Sequence, residues 1–275
     1  MAGYVHGYAA REGARLEDQA RTLEDLLHDG TAYPAGSRVL EAGCGTGAQT
    51  VALARRSPGA RITALDVSAA SLTQAHARVA GLGHVAFLRA DLRAPPFAEG
   101  SFDHVFVCFV LEHLPDPAAA LAALHRMLRP GGGITVIEGD HGSTLFHPDS
   151  PAARHAIACQ VELQRRAGGD AEIGRRLRPL LVGAGFEAVR VSPRFVHADA
   201  DRPDLLDGFV RRTFTAMVEG VRAAAAGAGL ATPVAFDQGI RDLHRTAEPD
   251  GVFCYTFFKA IGFKTVGFRA PTPAP

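Results

Sequence analysis

The sequence predicts an α/β fold, a doubly wound and mostly parallel sheet with helices on both faces. Three observations carry this. Between Arg38 and Glu138, short apolar segments alternate with segments of helical apolar spacing. The first apolar segment runs into three glycines at alternate positions, Gly43, Gly45 and Gly47, at the head of a helix. Such a turn bends sharply and lets backbone amides approach a ligand. Finally, a chain of 275 residues suits one large domain, able to bury roughly three-quarters of its unfolded surface.

Taken in order, Arg11–His28 carries Leu16, Ala20, Leu23, Leu26 and Leu27 on one helical face. Arg38–Ala42 reads as a strand, Gln49–Arg56 as a helix and Ile62–Asp66 as a second strand. The next helix follows Ser68, whose hydroxyl suits an N-cap. Val85–Arg89 and Phe102–Phe109 are the third and fourth strands, the latter almost wholly apolar, as a strand buried on both faces should be. A helix over Pro117–Leu128 stops at Arg129-Pro130-Gly131-Gly132-Gly133, and Ile134–Glu138 is the fifth strand. Beyond residue 140 the rhythm changes. Pro151–Ala167, Ala171–Ala184, Pro203–Gly227 and Pro233–Ala247 read as helices, with strands at Phe186–His197 and Val252–Phe263. The expected organisation is an N-terminal helical segment (1–34) covering the site and a main domain (35–270). Helical lid insertions at 144–168 and 203–248 interrupt it, and the Pro/Ala-rich tail (271–275) is disordered.

Basic and acidic residues balance at 29 each, so no net field draws the chain to nucleic acid or an anionic membrane. Arg165-Arg166, Arg175-Arg176 with Arg178, and Arg211-Arg212 fall on helical stretches and read as solvated faces. No apolar run approaches the roughly 20 residues that span a bilayer. Met1–His6 lacks the layout of a signal peptide, and the four scattered cysteines form no C-x-x-C pair. A cytoplasmic protein, monomer or homodimer, is expected.

The glycine turn by itself is ambiguous. Gly43-x-Gly45-x-x-Ala48 fits a dinucleotide fingerprint, with Asp66 as the acid expected roughly 20 residues on, which leaves an NAD(P)-dependent oxidoreductase open. Glu41, just before the turn, discriminates: its carboxylate would repel a pyrophosphate and suits a ligand with a cationic amino-acid end.

Five motifs in register resemble the class I S-adenosylmethionine-dependent methyltransferases. They are Glu41-x-Gly43-x-Gly45-x-Gly47, Asp66 ending the second strand, Ala90-Asp91-Leu92 after the third, Ser101-Phe102-Asp103-His104-Val105 opening the fourth, and Leu128-Arg129-Pro130-Gly131-Gly132 before the fifth. The resemblance is strong over residues 39–140 and looser beyond. It implies a Rossmann-like seven-stranded sheet with an antiparallel last strand. It also implies S-adenosyl-L-methionine as cofactor, with S-adenosyl-L-homocysteine as product. Carried over, the Gly43–Gly47 backbone would face the cofactor's amino-acid part, with Glu41 behind it near the ammonium. Asp66 would accept both ribose hydroxyls, and Asp91 the adenine amino group, with the Leu92 amide at a ring nitrogen. Val67, Leu92 and Phe109 would pack on the purine or chain, and Gln49 would meet the carboxylate. Asp66 and Asp91 also fit helix N-caps, Phe109 plain core and Gln49 a solvent-facing helix position.

Departures from the family's subtypes point to a small organic substrate. After the fourth strand, Cys108-Phe109-Val110-Leu111-Glu112-His113-Leu114 lacks the Pro-Pro-aromatic signature of nucleic-acid amine methylation and the acidic ligand of metal-assisted enzymes. Asp140, His141, His147, Asp149 and His155 lack the convergence zinc or a hard cation needs, so no metal is expected. Candidate bases lie at strand ends: Glu138 and His141 (with Asp140) after the fifth and His113 after the fourth, while Tyr4 and Tyr8 would fold over the site from the N-terminus. His113 equally fits a turn cap, Glu138 a loop anchor, and the tyrosines plain packing. His28, His76, His84, His125 and His244 read as surface residues. Phe209, Phe214, Met217, Phe236, Phe253, Tyr255 and Phe257 suit a flat apolar substrate, or a small core belonging to the lid itself. The overall pattern resembles actinobacterial methyltransferases of natural-product pathways, and one group it resembles in a general way, with no motif here to fix the match, methylates aromatic carbon such as indole C3. A non-catalytic S-adenosylmethionine-binding protein is the remaining alternative.

Overall fold

A computed structural model describes residues 10–265, so the disordered tail expected at 271–275 and the Tyr4 and Tyr8 positions lie outside the described residues. The first half comprises α1 (Ala10–His28), β1 (Arg38–Ala42), α2 (Ala48–Arg56), β2 (Arg61–Asp66), α3 (Ala69–Arg78), β3 (Val85–Arg89), β4 (Phe102–Cys108), α4 (Pro117–Met127) and β5 (Leu128–His147). The second comprises α5 (Pro151–Arg166), α6 (Leu177–Gly183), β6 (Glu187–Ala198), α7 (Pro203–Leu205), α8 (Ala216–Gly220), α9 (Arg222–Gly227), α10 (Pro233–Arg245) and β7 (Val252–Phe263). A π-helical stretch, Leu206–Thr215, joins α7 to α8.

The seven strands form one sheet in the order β3-β2-β1-β4-β5-β7-β6. β1 to β5 pair in parallel, and β7 runs antiparallel to both β5 and β6, as the resemblance implied. Short polar side chains start α3, α4, α5 and α10. Ser68 accepts from the Ser71 amide, Asp116 from that of Ala119, Ser150 from that of Ala153 and Thr232 from that of Ala235, each satisfying an amide that has no partner within its helix.

On one face of the sheet α4 and α6 bury Leu121, Leu124, Leu177 and Leu181 against Val105, Val107, Ile134 and Val136. On the other face α1, α2, α5, the π-helical stretch and α10 close over Val39, Phe106, Phe253 and Tyr255. The aromatic residues of the expected lid therefore share the core of that sheet face instead of forming a core of their own.

Three expectations need correction. The fifth strand does not end at Glu138. Antiparallel pairing with β7 carries it to His147, with a register shift between Asp140 and Leu145. The segment Ala171–Ala184 is not one helix but a short 3₁₀ turn, Ile173–Arg176, leading into α6. His28 is fully buried: it lies beneath α1 with Nε2 2.7 Å from Gln49 Oε1 and its ring stacked on Phe106. His84 and His125 are half-buried, whereas His76 and His244 are exposed.

Candidate active site

The carboxyl ends of β1, β2, β3 and β4 open on a cavity of about 350 Å³, within the usual range for a small-molecule site. Glu41, Gly43, Gly45, Gln49, Asp66, Val67, Asp91, Leu92 and Phe109 all line it, so the topology brings nearly the whole predicted cofactor set together. Gly43, Gly45 and Gly47 have φ of 80°, 53° and 78°, the left-handed region that glycine enters without strain. A Cβ on Gly43 would come within 2.6 Å of Val110, which packs over the turn, while one on Gly45 would meet nothing within 4 Å. Backbone at Gly45 is thus laid bare to the cavity.

Asp66 holds this turn. Its Oδ2 accepts from the Gly45 amide at 2.9 Å and its Oδ1 from the Ser68 amide at 2.8 Å. A carboxylate has about four acceptor positions, so one on each oxygen is left for a diol. Glu41 is buried beneath the turn, and its Oε2 has no hydrogen-bond partner among the described residues. Burial pushes its carboxyl up to about 7, and the nearby Asp66 charge adds to the effect. A buried acceptor without a partner is costly, and a cationic group in the cavity would relieve it. Glycine cradle, diol acceptor and a buried carboxylate with one unpartnered oxygen together fit S-adenosylmethionine.

Two residues of the set are engaged elsewhere. Asp91 grips Arg93: Arg93 Nε donates to both carboxylate oxygens at 3.0 Å, Nη2 to Oδ2 at 2.6 Å, and the Arg93 amide to Oδ1 at 2.9 Å. That pairing holds its carboxyl below the usual range and fills the acceptor positions expected to meet adenine. Gln49 lines the cavity, but its oxygen is taken by His28.

A second, smaller cavity of about 50 Å³ adjoins the first, and Leu16, Gln19, Phe109 and His113 line both. Phe109 adopts φ 57°, a conformation uncommon outside glycine and often found at functional sites. Its ring sits 5.4 Å from that of Phe257. Phe209, Phe214, Met217 and Phe257 form the apolar walls of the small cavity, and Glu112, His113, His141 and Tyr255 bring polar groups to it. His141 reaches it because residues 141–144 leave the β5–β7 ladder at the register shift, and such bulges re-aim side chains. Burial keeps its imidazole below the ordinary histidine range, and hence neutral.

Glu138, fully buried, lines neither cavity. Its Oε1 accepts from the Val110 and Leu111 amides at 3.0 and 2.8 Å, and burial together with the neighbouring Glu112 raises its carboxyl well above the usual range. It fixes the turn that presses Val110 onto Gly43. Asp140 is clamped by Arg175, whose Nε and Nη2 donate to its oxygens at 2.7 and 2.6 Å. No group of side chains that could hold a metal ion occurs among the described residues. Sequence reasoning missed Glu112 and Gln19 as site residues, with only the position of Glu112 after a strand end hinting at its place, and it named Tyr255 only as one of the C-terminal aromatics suited to a flat apolar substrate.

The family model of the methyltransferase domain matches residues 40–136. An uncharacterised 37.1 kDa protein in a transposon of Streptomyces fradiae is 34% identical over 206 residues, which cover 74% of this chain and 59% of that protein. The demethylmenaquinone methyltransferase of Thermus thermophilus is 32% identical over 190 residues, 68% of this chain and 76% of its own length. Among solved structures, the [4+2]-cyclase SpnF shares the fold with a TM-score of 0.57 at 20% identity, over 91% of this chain and 81% of its own. The sheet order and these relatives together displace the oxidoreductase alternative: the chain belongs to the class I S-adenosylmethionine-dependent methyltransferases, with S-adenosylmethionine as its cofactor.

Proposed function

We propose that this chain transfers a methyl group from S-adenosylmethionine to a small aromatic metabolite that reaches the site through the smaller cavity. The observation that carries this reading is the junction at Phe109 and His113, where the cofactor cavity meets a pocket walled by Phe209, Phe214 and Phe257. The bound cofactor supplies a methyl carbon activated by its sulfonium. Gly43–Gly47, Glu41 and Asp66 hold and orient it, Val67 and Leu92 flank its purine, and Gln49 and Asp91 line its seat while paired with His28 and Arg93. Phe109 separates the two compartments, and the apolar walls exclude water from the reacting centre. His141 removes the proton from the acceptor, and His113 lines the gap through which the methyl passes. Glu138 positions the Val110–Leu111 turn and is not the base.

A cavity of about 50 Å³ is smaller than the 150 Å³ or so that accepts benzene. Acceptor entry therefore moves α1, which carries Leu16 and Gln19, against the π-helical stretch, which carries Thr213 and Phe214. That pair acts as the lid. Quinol, phenol and indole rings belong to the class that fits, and the naming of the Thermus relative for demethylmenaquinone supports it. A role in natural-product biosynthesis is part of the same reading. Four buried, unpaired cysteines suit a reducing cytoplasm.

The test is incubation with methyl-labelled S-adenosylmethionine and a panel of 1,4-naphthohydroquinone, a catechol and an indole. Label in the organic extract with at least one member is expected. Label in none, with S-adenosylhomocysteine still bound, would favour the non-catalytic reading or, as the SpnF fold illustrates, a different reaction on the same scaffold.

A further inference from the structure

Where the cofactor cavity passes the end of β3 it is lined by Asp91 and Arg93, and these two are already bound to each other. Three N–H groups of residue 93 make four contacts to the Asp91 carboxylate. The backbone amide donates to Oδ1 at 2.9 Å, Nε to both oxygens at 3.0 Å, and Nη2 to Oδ2 at 2.6 Å. The amide contact closes an Asx turn, so the local backbone orients the carboxylate before the guanidinium adds to it. A carboxylate has about four acceptor positions, and here they are used. Arg93 Nη1 has no partner among the described residues and is left to solvent or to a ligand.

The topology decides what meets this pair. Neighbouring strands lie about 4.8 Å apart. The order β3-β2-β1 therefore sets three features in a row along the carboxyl edge of the sheet: Asp91 after β3, Asp66 ending β2, and the glycine turn after β1. A nucleoside with its amino-acid end on the glycine turn and its ribose on Asp66 carries its base toward Asp91 and Arg93. We propose that Arg93 sets the base specificity of this seat: by occupying Asp91 it leaves the exocyclic amino group of the purine unread, so the seat admits sulfonium nucleosides altered at that position. An amino group donates, and the pair offers it N–H donors with no open lone pair. To reach the carboxylate it must displace a guanidinium N–H. That exchanges a bond between two charged groups for one from a neutral donor, the weaker of the two. Recognition then falls to Asp66 at the diol, to Glu41 at the cationic end, and to the apolar contacts of Val67 and Leu92.

The proposal rests on Asp66 as the ribose acceptor, and the test separates the two. Titration calorimetry compares S-adenosylhomocysteine with its purine-riboside analogue, which carries hydrogen in place of the 6-amino group and keeps the ring nitrogens. The wild type should bind the two within about threefold of each other. Arg93→Ala removes the guanidinium and opens Asp91 Oδ2. S-adenosylhomocysteine should then be preferred by about tenfold or more, the size of one hydrogen bond to a charged acceptor. Asp91→Ala added to Arg93→Ala should bring the two ligands back within about threefold, with thermal melts as the check on folding. A wild-type preference of about tenfold or more for the amino ligand overturns the proposal without recourse to any variant. An Arg93→Ala ratio equal to that of the wild type overturns it as well. Asp66→Ala binding both ligands as tightly as the wild type overturns instead the ribose placement beneath it, and the proposal falls with that placement.

Discussion

Replacing Asp66 by alanine is expected to weaken S-adenosylhomocysteine binding about a hundredfold. The magnitude follows from how the carboxylate is used. Two of its acceptor positions are taken by the Gly45 and Ser68 amides at 2.9 and 2.8 Å, which leaves one on each oxygen for the ribose diol. A hydrogen bond to a charged acceptor contributes about 1.5–3 kcal/mol, and the half-exposed position of Asp66 argues for the lower value. Two such bonds give about 3 kcal/mol, roughly two decades in affinity. The substitution also strips both amides of their acceptor, at about 1 kcal/mol of stability since water can replace it. Titration calorimetry measures the affinity, and a thermal melt without ligand measures the stability separately. Asp66→Asn, which keeps one carbonyl oxygen, should lose about tenfold, roughly half of that 3 kcal/mol. A folded Asp66→Ala variant that binds within threefold of wild type would refute the ribose assignment.

The Glu41 carboxyl, raised to about 7, makes cofactor binding pH-dependent. A cationic ligand favours its charged form, so affinity should rise with pH through about 7 and level off above, and Glu41→Gln should flatten the profile in calorimetry. In the ligand-free protein the sign is opposite. Because the folded value lies above the ordinary one, the stability from Glu41 is full at acid pH and is lost as pH rises to about 7, which urea titrations at pH 5 and 8 would read. Phe209→Ala removes a fully buried ring that contacts Phe214, Phe253, Tyr255 and Phe257. It should cost about 3–5 kcal/mol, seen as a fall of about 10 °C in Tm; a loss under 1 kcal/mol would mean that face of the core is not continuous. Glu138→Gln, which keeps an oxygen for the Val110 and Leu111 amides, should retain most turnover, whereas Glu138→Ala should weaken S-adenosylhomocysteine binding by loosening Val110. Equal loss in both variants would point to proton chemistry at Glu138.

The first half of the fold was legible because its signals are local. Val39–Gly47 couples a strand to a glycine turn, Ser68 caps its helix, and the apolar spacing of Pro117–Met127 matches the helix it forms. What escaped reading depends on distant partners. Gly139–Ser143 has the composition of a loop, yet Phe257 and Thr256 on β7 draw Gly139 and Asp140 into the sheet, and the register shift that follows delivers His141 to the cavity. His28 ends α1 as a surface histidine would, but Gln49, twenty-one positions on, receives it. Nothing local announces that Phe109 takes φ 57°, or that Leu206–Thr215 winds as a π-helix above the small cavity. The cofactor seat is therefore a property of sequence-local motifs, and the acceptor pocket of tertiary contacts among α1, β5, β7 and the π-helical stretch.

The most direct measurement is the structure of the complex with S-adenosylhomocysteine. The predicted result has the ribose diol on Asp66, the ammonium above Glu41 behind the Gly43–Gly47 turn, and the sulfur at the opening between Phe109 and His113, facing the cavity of His141 and Tyr255. A nucleoside seated away from Asp66, or a sulfur turned from that opening toward solvent, would contradict it.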